Sequence, residues 1–390
     1  MKKRVFRYLK HISLTFLVLA SMAVAFGLYH GASASYGDDE KRLTFDGEGP
    51  YAFYQNDSII DVRYIKGNKT DGFYIDTKEY SATELIPART FFPLDSTHFE
   101  FEINPTIKIP KTTYNDNNKV LAISDIESGY KTFRDFLINS KVIDKNLNWT
   151  FGEGHVVLVG DFVDRGFSTT QVLWFIYKLE QDAKKHGGNV HFIIGNHELK
   201  NMYGDYEAAS LKYTFVASML GKTQSNLYDS NSVLGTWLAS KNVIESINGN
   251  LFTHGGLHPD IVKLNMTLDD INTLLRSTYY SAPYPKKDKN DTDILLSSKT
   301  GICWYRGYFK DDLTQEEVEK PLDAFHAKAI VVGHTLQSKV KSHFNGKVIG
   351  IDVKHANDYH KNWPNKKSEG LLIEDGLYYR VFDDGDKEKL

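Results

Sequence analysis

The sequence predicts an α/β domain preceded by a β-rich extension and a membrane-directed leader. Three features carry the α/β assignment: short apolar, β-branched runs, helical patterns between them, and a polar or glycine cluster ending each run. Continuous apolar runs of this length fit strands buried on both faces. Strand, loop and helix in repetition give a sheet with crossover connections. The chain has 390 residues, 41% hydrophobic and 25% charged, enough for one large domain with an appendage.

The elements follow in chain order. Lys2, Lys3, Arg4 and Lys10 precede an uncharged stretch, residues 12–29, which is followed by Ala32-Ser33-Ala34, a small-x-small site of the kind signal peptidase cuts. The stretch is longer than a usual signal core and close to a minimal membrane span. Residues 1–34 are therefore expected to be a signal peptide or an N-terminal membrane anchor. Either sends the bulk of the chain out of the cytoplasm, because the basic flank stays inside. Lys2, Lys3, Arg4, Arg7 and Lys10 are the five basic residues of the leader, which has no acidic ones, so its loss takes the net charge from −3 to −8. So acidic a remainder lacks the electrostatic footprint of a nucleic-acid binder. Cys303 is the one cysteine, which excludes an intramolecular disulfide, a thiolate metal cluster and a lipoprotein anchor.

Residues 35–117 are polar and aromatic. Residues 61–65 and 98–103 alternate with the period of half-buried strands, punctuated by Pro87, Pro93, Pro105 and Pro110. The texture changes at Lys119, and residues 118–386 read as the main domain. Residues 120–126 run through Ser124-Asp125, 156–159 end in Gly160-Asp161, and 190–194 end in Gly195-Asn196-His197. Later, 251–253 end in His254-Gly255-Gly256 and 329–332 in Gly333-His334. Between them, Phe133, Phe136 and Leu137 recur at helical spacing. So do Val172, Leu173, Phe175, Ile176 and Leu179, opened by Ser168/Thr169 and closed by Gly187-Gly188. A largely helical insertion at about 199–249, with Met202, Tyr203, Tyr206, Tyr213 and Phe215, is expected to overhang the site as a cap.

In such sheets functional groups gather where strands end. The residues found there are Asp125, Glu127, Asp161, Asp164, Arg165, Asn196, His197, His254 and His334. Oxygen donors and imidazoles suit divalent Mn, Fe or Zn. Two neighbouring cations can clamp the attacking and leaving oxygens of a phosphoryl displacement. Glu198 reads as a residue that orients its loop, His258 as a loop histidine, and the cluster His355, Asp358, His360 as lying near the mouth of the site.

Order and spacing sharpen this reading. Gly160-Asp161-Phe162-Val163-Asp164-Arg165-Gly166, Gly195-Asn196-His197-Glu198 and Gly333-His334, with Ser124-Asp125-Ile126-Glu127, resemble the calcineurin-like metallophosphoesterases, specifically the phosphoprotein phosphatase branch. Gly235-Thr236-Trp237-Leu238, His254-Gly255-Gly256-Leu257 and Trp304-Tyr305-Arg306-Gly307 look like the Shewanella-like, bacterial-type phosphatases of that branch. The resemblance covers roughly 119–352. It implies a β-sandwich of two mixed sheets flanked by helices, and two divalent metal ions. Asp125, Glu127 and Asp161 would hold the first metal, and Asp161, Asn196, His254 and His334 the second. A metal-bridging hydroxide would attack phosphorus, Arg165 and Arg306 would grip the phosphate, and His197, oriented by Asp164, would protonate the leaving group. Where the family usually has Asp-x-His, this chain has Asp125-x-Glu127. The extra carboxylate makes the first site oxygen-rich, which favours Mn2+, with Fe or Zn as alternatives.

The expected activity is hydrolysis of phosphomonoesters, on phosphorylated proteins (Ser, Thr or Tyr) or small molecules, outside the cytoplasm, with residues 12–29 as the membrane contact if uncleaved. Two alternatives stand beside it: a nucleotide or lipid-linked diphosphate hydrolase of the same fold, and a catalytically weak metal- or phosphate-binding pseudo-phosphatase.

Overall fold

The computed structural model describes residues 2–29, 32–282, 290–310 and 313–390; positions 1, 30 and 31 of the leader lie outside the described residues. Two six-stranded mixed sheets face each other. The first runs Asn189–Ile193, His155–Val159, Val120–Ile123, Glu369–Glu374, Leu377–Phe382, Lys387–Lys389, with the first three parallel and the rest antiparallel. The second runs Lys341–His343, Val348–Gly350, Ala329–Val332, Asn250–Thr253, Ile244–Ile247, Thr113–Tyr114.

The strand sequences explain this sandwich. Val120 and Ala122, Val157 and Val159, Phe252, Val331, Ile349 and Leu371 form one buried layer between the sheets. The alternate residues Leu121, Ile123, Val156, Leu158, Leu251, Ile330 and Val332 belong to the larger core outside it. A strand apolar on both faces must be covered on both. Each large aliphatic side chain so buried contributes about 1.5–3 kcal/mol by leaving water. The helices Tyr130–Asn139 and Thr169–Lys185 cover the first sheet, burying Phe133, Phe136, Val172, Phe175 and Ile176. Their limits match the helical spacing read in the sequence. The hydroxyl of Ser168 does not cap its helix, however; it meets the Tyr359 hydroxyl at 2.9 Å. Helix Tyr130–Asn139 is capped from far away, by the Asp358 carboxylate accepting from the N–H of Lys131 and Thr132 at 2.7 and 2.9 Å.

Residues 48–103 form a three-stranded meander (Glu48–Asn56, Ile59–Asn68, Gly72–Ser81) and a hairpin (Ile86–Phe92, Thr97–Ile103). Both lie on helix Thr169–Lys185. Trp174 donates to the Pro50 carbonyl at 2.8 Å, and Phe99 and Phe101 pack on Phe175 and Trp174. The polar hub of this contact is Glu48, buried with Lys212 at 2.8 Å and accepting from the Tyr51 hydroxyl at 3.0 Å.

The insertion differs from the expected cap. Ile244–Ile247 is a strand of the second sheet, and Met202 and Tyr213 are buried in the core. Helix Leu211–Met219 leans instead on the meander, with Phe215 edge-on to Phe45 at 6.5 Å. Aromatic rings at helical spacing answered the need to cover the extension. Of this segment Lys200, Glu207 and Ala208 border the site, and Asn201 reaches Asp164.

The leader is a helix, Lys2–Tyr29, long and apolar enough to cross a membrane, with its large side chains exposed. Beyond it the strand Ala34–Tyr36 pairs with Lys361–Trp363, a contact with no sequence signal.

Truncating Glu48 would strand the Lys212 ammonium in a dry contact. Glu48→Ala is expected to cost about 3–5 kcal/mol, read as a lowered urea midpoint, with Glu48→Gln milder; an unchanged midpoint for Glu48→Ala would show that the contact is not needed.

Candidate functional site

Strands of both sheets end at one rim, where Asp125, Asp161, Asn196, His197, Arg165, Arg306 and His334 line a cavity of about 370 Å³. His254 lies beneath them, fully buried. The loops that deliver these groups are tight. Asp125, Glu127, Asp161, Asp164, Arg165 and His334 all have φ between 50° and 67°. Left-handed backbone is costly outside glycine, about 1–2 kcal/mol per residue, and such strain gathers at functional sites. The motif glycines allow the approach: a Cβ on Gly195 would lie 2.4 Å from Asp161 Oδ1, and one on Gly333 2.6 Å from Asp125 Oδ2.

Ligand atoms of Asp161, His254 and His334 lie within 4.8 Å of one another, all buried. The His254 Nδ1–H donates to the Val159 carbonyl at 2.7 Å, which turns Nε2 inward, 3.1 Å from both Asp161 Oδ2 and Asn196 Oδ1. A ligand imidazole held through its other nitrogen is the usual support of a metal site. Burial alone would lower the affinity of His254 for a proton, but the charges of Asp161 and Asp125 raise its pKa to about 10. The pocket thus demands positive charge, and its donor set fits a divalent cation. Burial and the neighbouring His254 push His334 the other way, to about 2, leaving a neutral imidazole able to ligate.

Asp125 lines the same cavity. Its Oδ2 accepts from the His334 N–H at 3.2 Å, and burial and the charge of Asp352 push it well above the usual carboxylate range. Glu127 is not drawn into this group. Its carboxylate pairs with Arg165 and, at 3.2 Å, with Lys354. The longer glutamate reaches the solvent-side cations in place of the buried donors. Asp352, absent from the sequence assignment, lines the same cavity, 7% exposed, with no hydrogen bond to its carboxylate among the described residues. Burial and the charges of Glu127 and Asp161 raise it to about 7. It too follows a strand, Val348–Gly350, so the strand-end rule that found the others would have found it.

At the rim, His197 Nδ1 meets Asp164 Oδ2 at 2.7 Å, and Asp164 is steadied by Asn201 at 2.8 Å. Burial opposes charge on His197, but Asp164 and Asp161 carry its pKa above the ordinary value. Arg165, half exposed, reaches His197 Nε2 at 3.1 Å. Arg306 is fixed by the His334 carbonyl at 2.6 Å. Glu198 is fully buried and accepts from the N–H of Asp161, Phe162 and Gly195 at 2.8–2.9 Å, tying two motif loops together. His258 accepts from the N–H of Asp260 at 3.1 Å and is a loop residue. His355 binds the Ser124 carbonyl at 2.8 Å. Cys303 is buried, its thiol 3.4 Å from the Ile194 carbonyl.

The sequence pattern of the calcineurin-like phosphoesterases matches residues 118–338. The chain is 29% identical over 264 residues to Shewanella-like protein phosphatase 1 of Plasmodium berghei (strain Anka), covering 64% of this chain and 71% of that protein. It is 32% identical over 105 residues to Shewanella-like protein phosphatase 2 of Arabidopsis thaliana, 27% of each chain. The fold is similar to the crystal structure of a cold-active protein-tyrosine phosphatase from a psychrophilic Shewanella species, with TM-score 0.76 and 31% identity over 88% of this chain and 99% of that one.

Glu198→Ala would leave three buried N–H groups unpaired and is expected to lose about 3 kcal/mol of stability, read by chemical denaturation. A wild-type midpoint would show that the loops are held by other contacts.

Proposed function

Since the chain belongs to the calcineurin-like phosphoesterase family, whose members are metal-dependent phosphatases, we propose that it hydrolyses phosphomonoesters with two divalent cations. The observation that carries this is the convergence of Asp125, Asp161, Asn196, His254 and His334 on one buried place, with two arginines and a histidine at its lip.

Asn196, His254 and His334 would hold one cation, Asp125 the other, and Asp161 would lie between them. Glu127 is kept as a ligand to the first site only if it leaves its two cations. When bound, such a cation pair neutralises the phosphate and acidifies a water. Arg306, already fixed, provides one half of a phosphate clamp, and Arg165, exchanging Glu127 for substrate, the other; a forked guanidinium suits that task. Asp164 holds His197 Nδ1, and once Arg165 leaves Nε2 for the substrate phosphate, the imidazolium can donate from Nε2 to the departing alkoxide. The carboxylate-rich first site favours Mn2+.

The names of the relatives favour phosphorylated protein side chains as one substrate class. The leader favours action outside the cytoplasm. Metal analysis beside a phosphatase panel tests both metal and substrate: two ions per chain, and turnover restored by Mn2+ after chelation, are expected. A chelated protein with full activity would sink the reading.

Two variants test the roles. Asp161→Asn is expected to lower turnover by more than about 100-fold and weaken metal retention; an undiminished rate would show that no ion depends on it. His197→Ala is expected to slow alkyl phosphates by about 10²–10⁴-fold, and p-nitrophenyl phosphate, whose leaving group needs no proton, far less. Equal losses on both would remove His197 as the acid.

A further inference from the structure

The strand that follows the leader is part of the catalytic cavity. Ala34–Tyr36 and Lys361–Trp363 form a ribbon in the register Ala34↔Trp363, Ser35↔Asn362, Tyr36↔Lys361. The Ser35 hydroxyl donates to Asn362 Oδ1 at 2.9 Å, and both residues line the cavity that holds Asp125 and Asp161. Side chains alternate across a ribbon. The pairs on either side of Ser35–Asn362 therefore point the other way, and there Tyr36 is 54% and Trp363 52% exposed, with Lys361 beside them. The attachment continues past the ribbon. Asp39 N–H donates to the Tyr359 carbonyl at 3.0 Å, and His360 meets Asp38 at 2.6 Å. Cleavage after Ala34 would cut the ribbon through its first pair.

The helix ends at Tyr29, five residues before Ala34, a gap of at most about 18 Å. Its uncharged stretch, residues 12–29 of the helix Lys3–Tyr29, is about 27 Å long against a hydrocarbon core of about 30 Å. Tryptophan, tyrosine and lysine are the side chains that settle at a membrane surface, and these three occupy the outward face of the ribbon. Leu336, 60% exposed, and the exposed Lys354 line the cavity itself, an apolar and cationic lip for a lipid bearing a phosphate.

We propose that the leader is retained and seats the ribbon on the bilayer, so that the cavity takes the phosphate head group of an amphiphile in the same membrane. This rests on the phosphatase reading above and names its substrate class. In the reaction the oxygen of water forms the new bond to phosphorus as the bond from phosphorus to the lipid oxygen breaks. His197 supplies the proton to that oxygen. Inorganic phosphate and a lipid alcohol are released.

The test uses the full chain reconstituted in phosphatidylcholine vesicles. With brominated lipids, tryptophan emission should be partly quenched, and Trp363→Phe should remove that quenched part, since Trp149, Trp174 and Trp237 are buried and Trp304 is half-buried beside the site; a Trp304→Phe control should leave the quenching in place. Phosphatidic acid in the same vesicles as the protein should be hydrolysed at least tenfold faster than the same amount in separate vesicles. Equal rates in the two arrangements, no Trp363-dependent quenching, a phosphotyrosine peptide in solution turned over faster than the lipid, or an exported chain beginning at Ser35 would each overturn the proposal. Turnover of p-nitrophenyl phosphate in every sample separates these outcomes from failure of the phosphatase reading, which would abolish that turnover as well.

Discussion

Carboxylates crowded in a dry pocket govern this molecule. Asp125, Asp161 and Asp352 are each more than nine-tenths buried around one cavity, and burial and mutual repulsion push Asp125 and Asp352 toward protonation. Asp161 escapes because His254 faces it at 3.1 Å. Charges so placed are costly unless opposite charge joins them. The rest of the fold prevents relaxation. Left-handed loops fix the carboxylates, Glu198 ties the loops to each other, and the close-packed layer between the sheets holds the strands from which the loops spring. That repulsion is what a divalent cation would relieve.

What could be read beforehand follows from that constraint. The polar side chains that gather at the cavity sit at strand ends, so Asp161, Asn196, His254 and His334 each follow a buried run and were visible with their glycines. The two helices over the first sheet were legible because Phe133, Phe136, Val172 and Phe175 must all face it. Contacts made by shape across the chain were not. Ser35 and Asn362 are 327 positions apart, and Asp358 caps a helix more than 220 residues before it. The insertion misled because a buried aromatic looks the same in a sequence whether it covers a site or an extension.

The departure at Glu127 gains meaning beside Asp352. The glutamate is engaged by Arg165 and Lys354, while Asp352 lies in the same cavity. Glu127 is thus tied to Arg165 and Lys354 at the lip, and Asp352, whose carboxylate has no hydrogen bond among the described residues, stays within. The likeness to the Shewanella structure spans 88% of the chain, far more than residues 118–338, so it takes in much of the β-rich extension. That extension is bound to the domain through Glu48, Trp174 and the rings around Phe175.

The strand Glu369–Glu374 sits inside the first sheet, between Val120–Ile123 and Leu377–Phe382. A nascent chain emerging from the ribosome therefore carries an open edge at Val120–Ile123 until Glu369–Glu374 has been made. Pairings across such sequence distances close slowly, and an unpaired apolar edge invites association with other chains. Synthesis must pass Glu374 before the sandwich can shut, and until then the half-made sheet has to be sheltered.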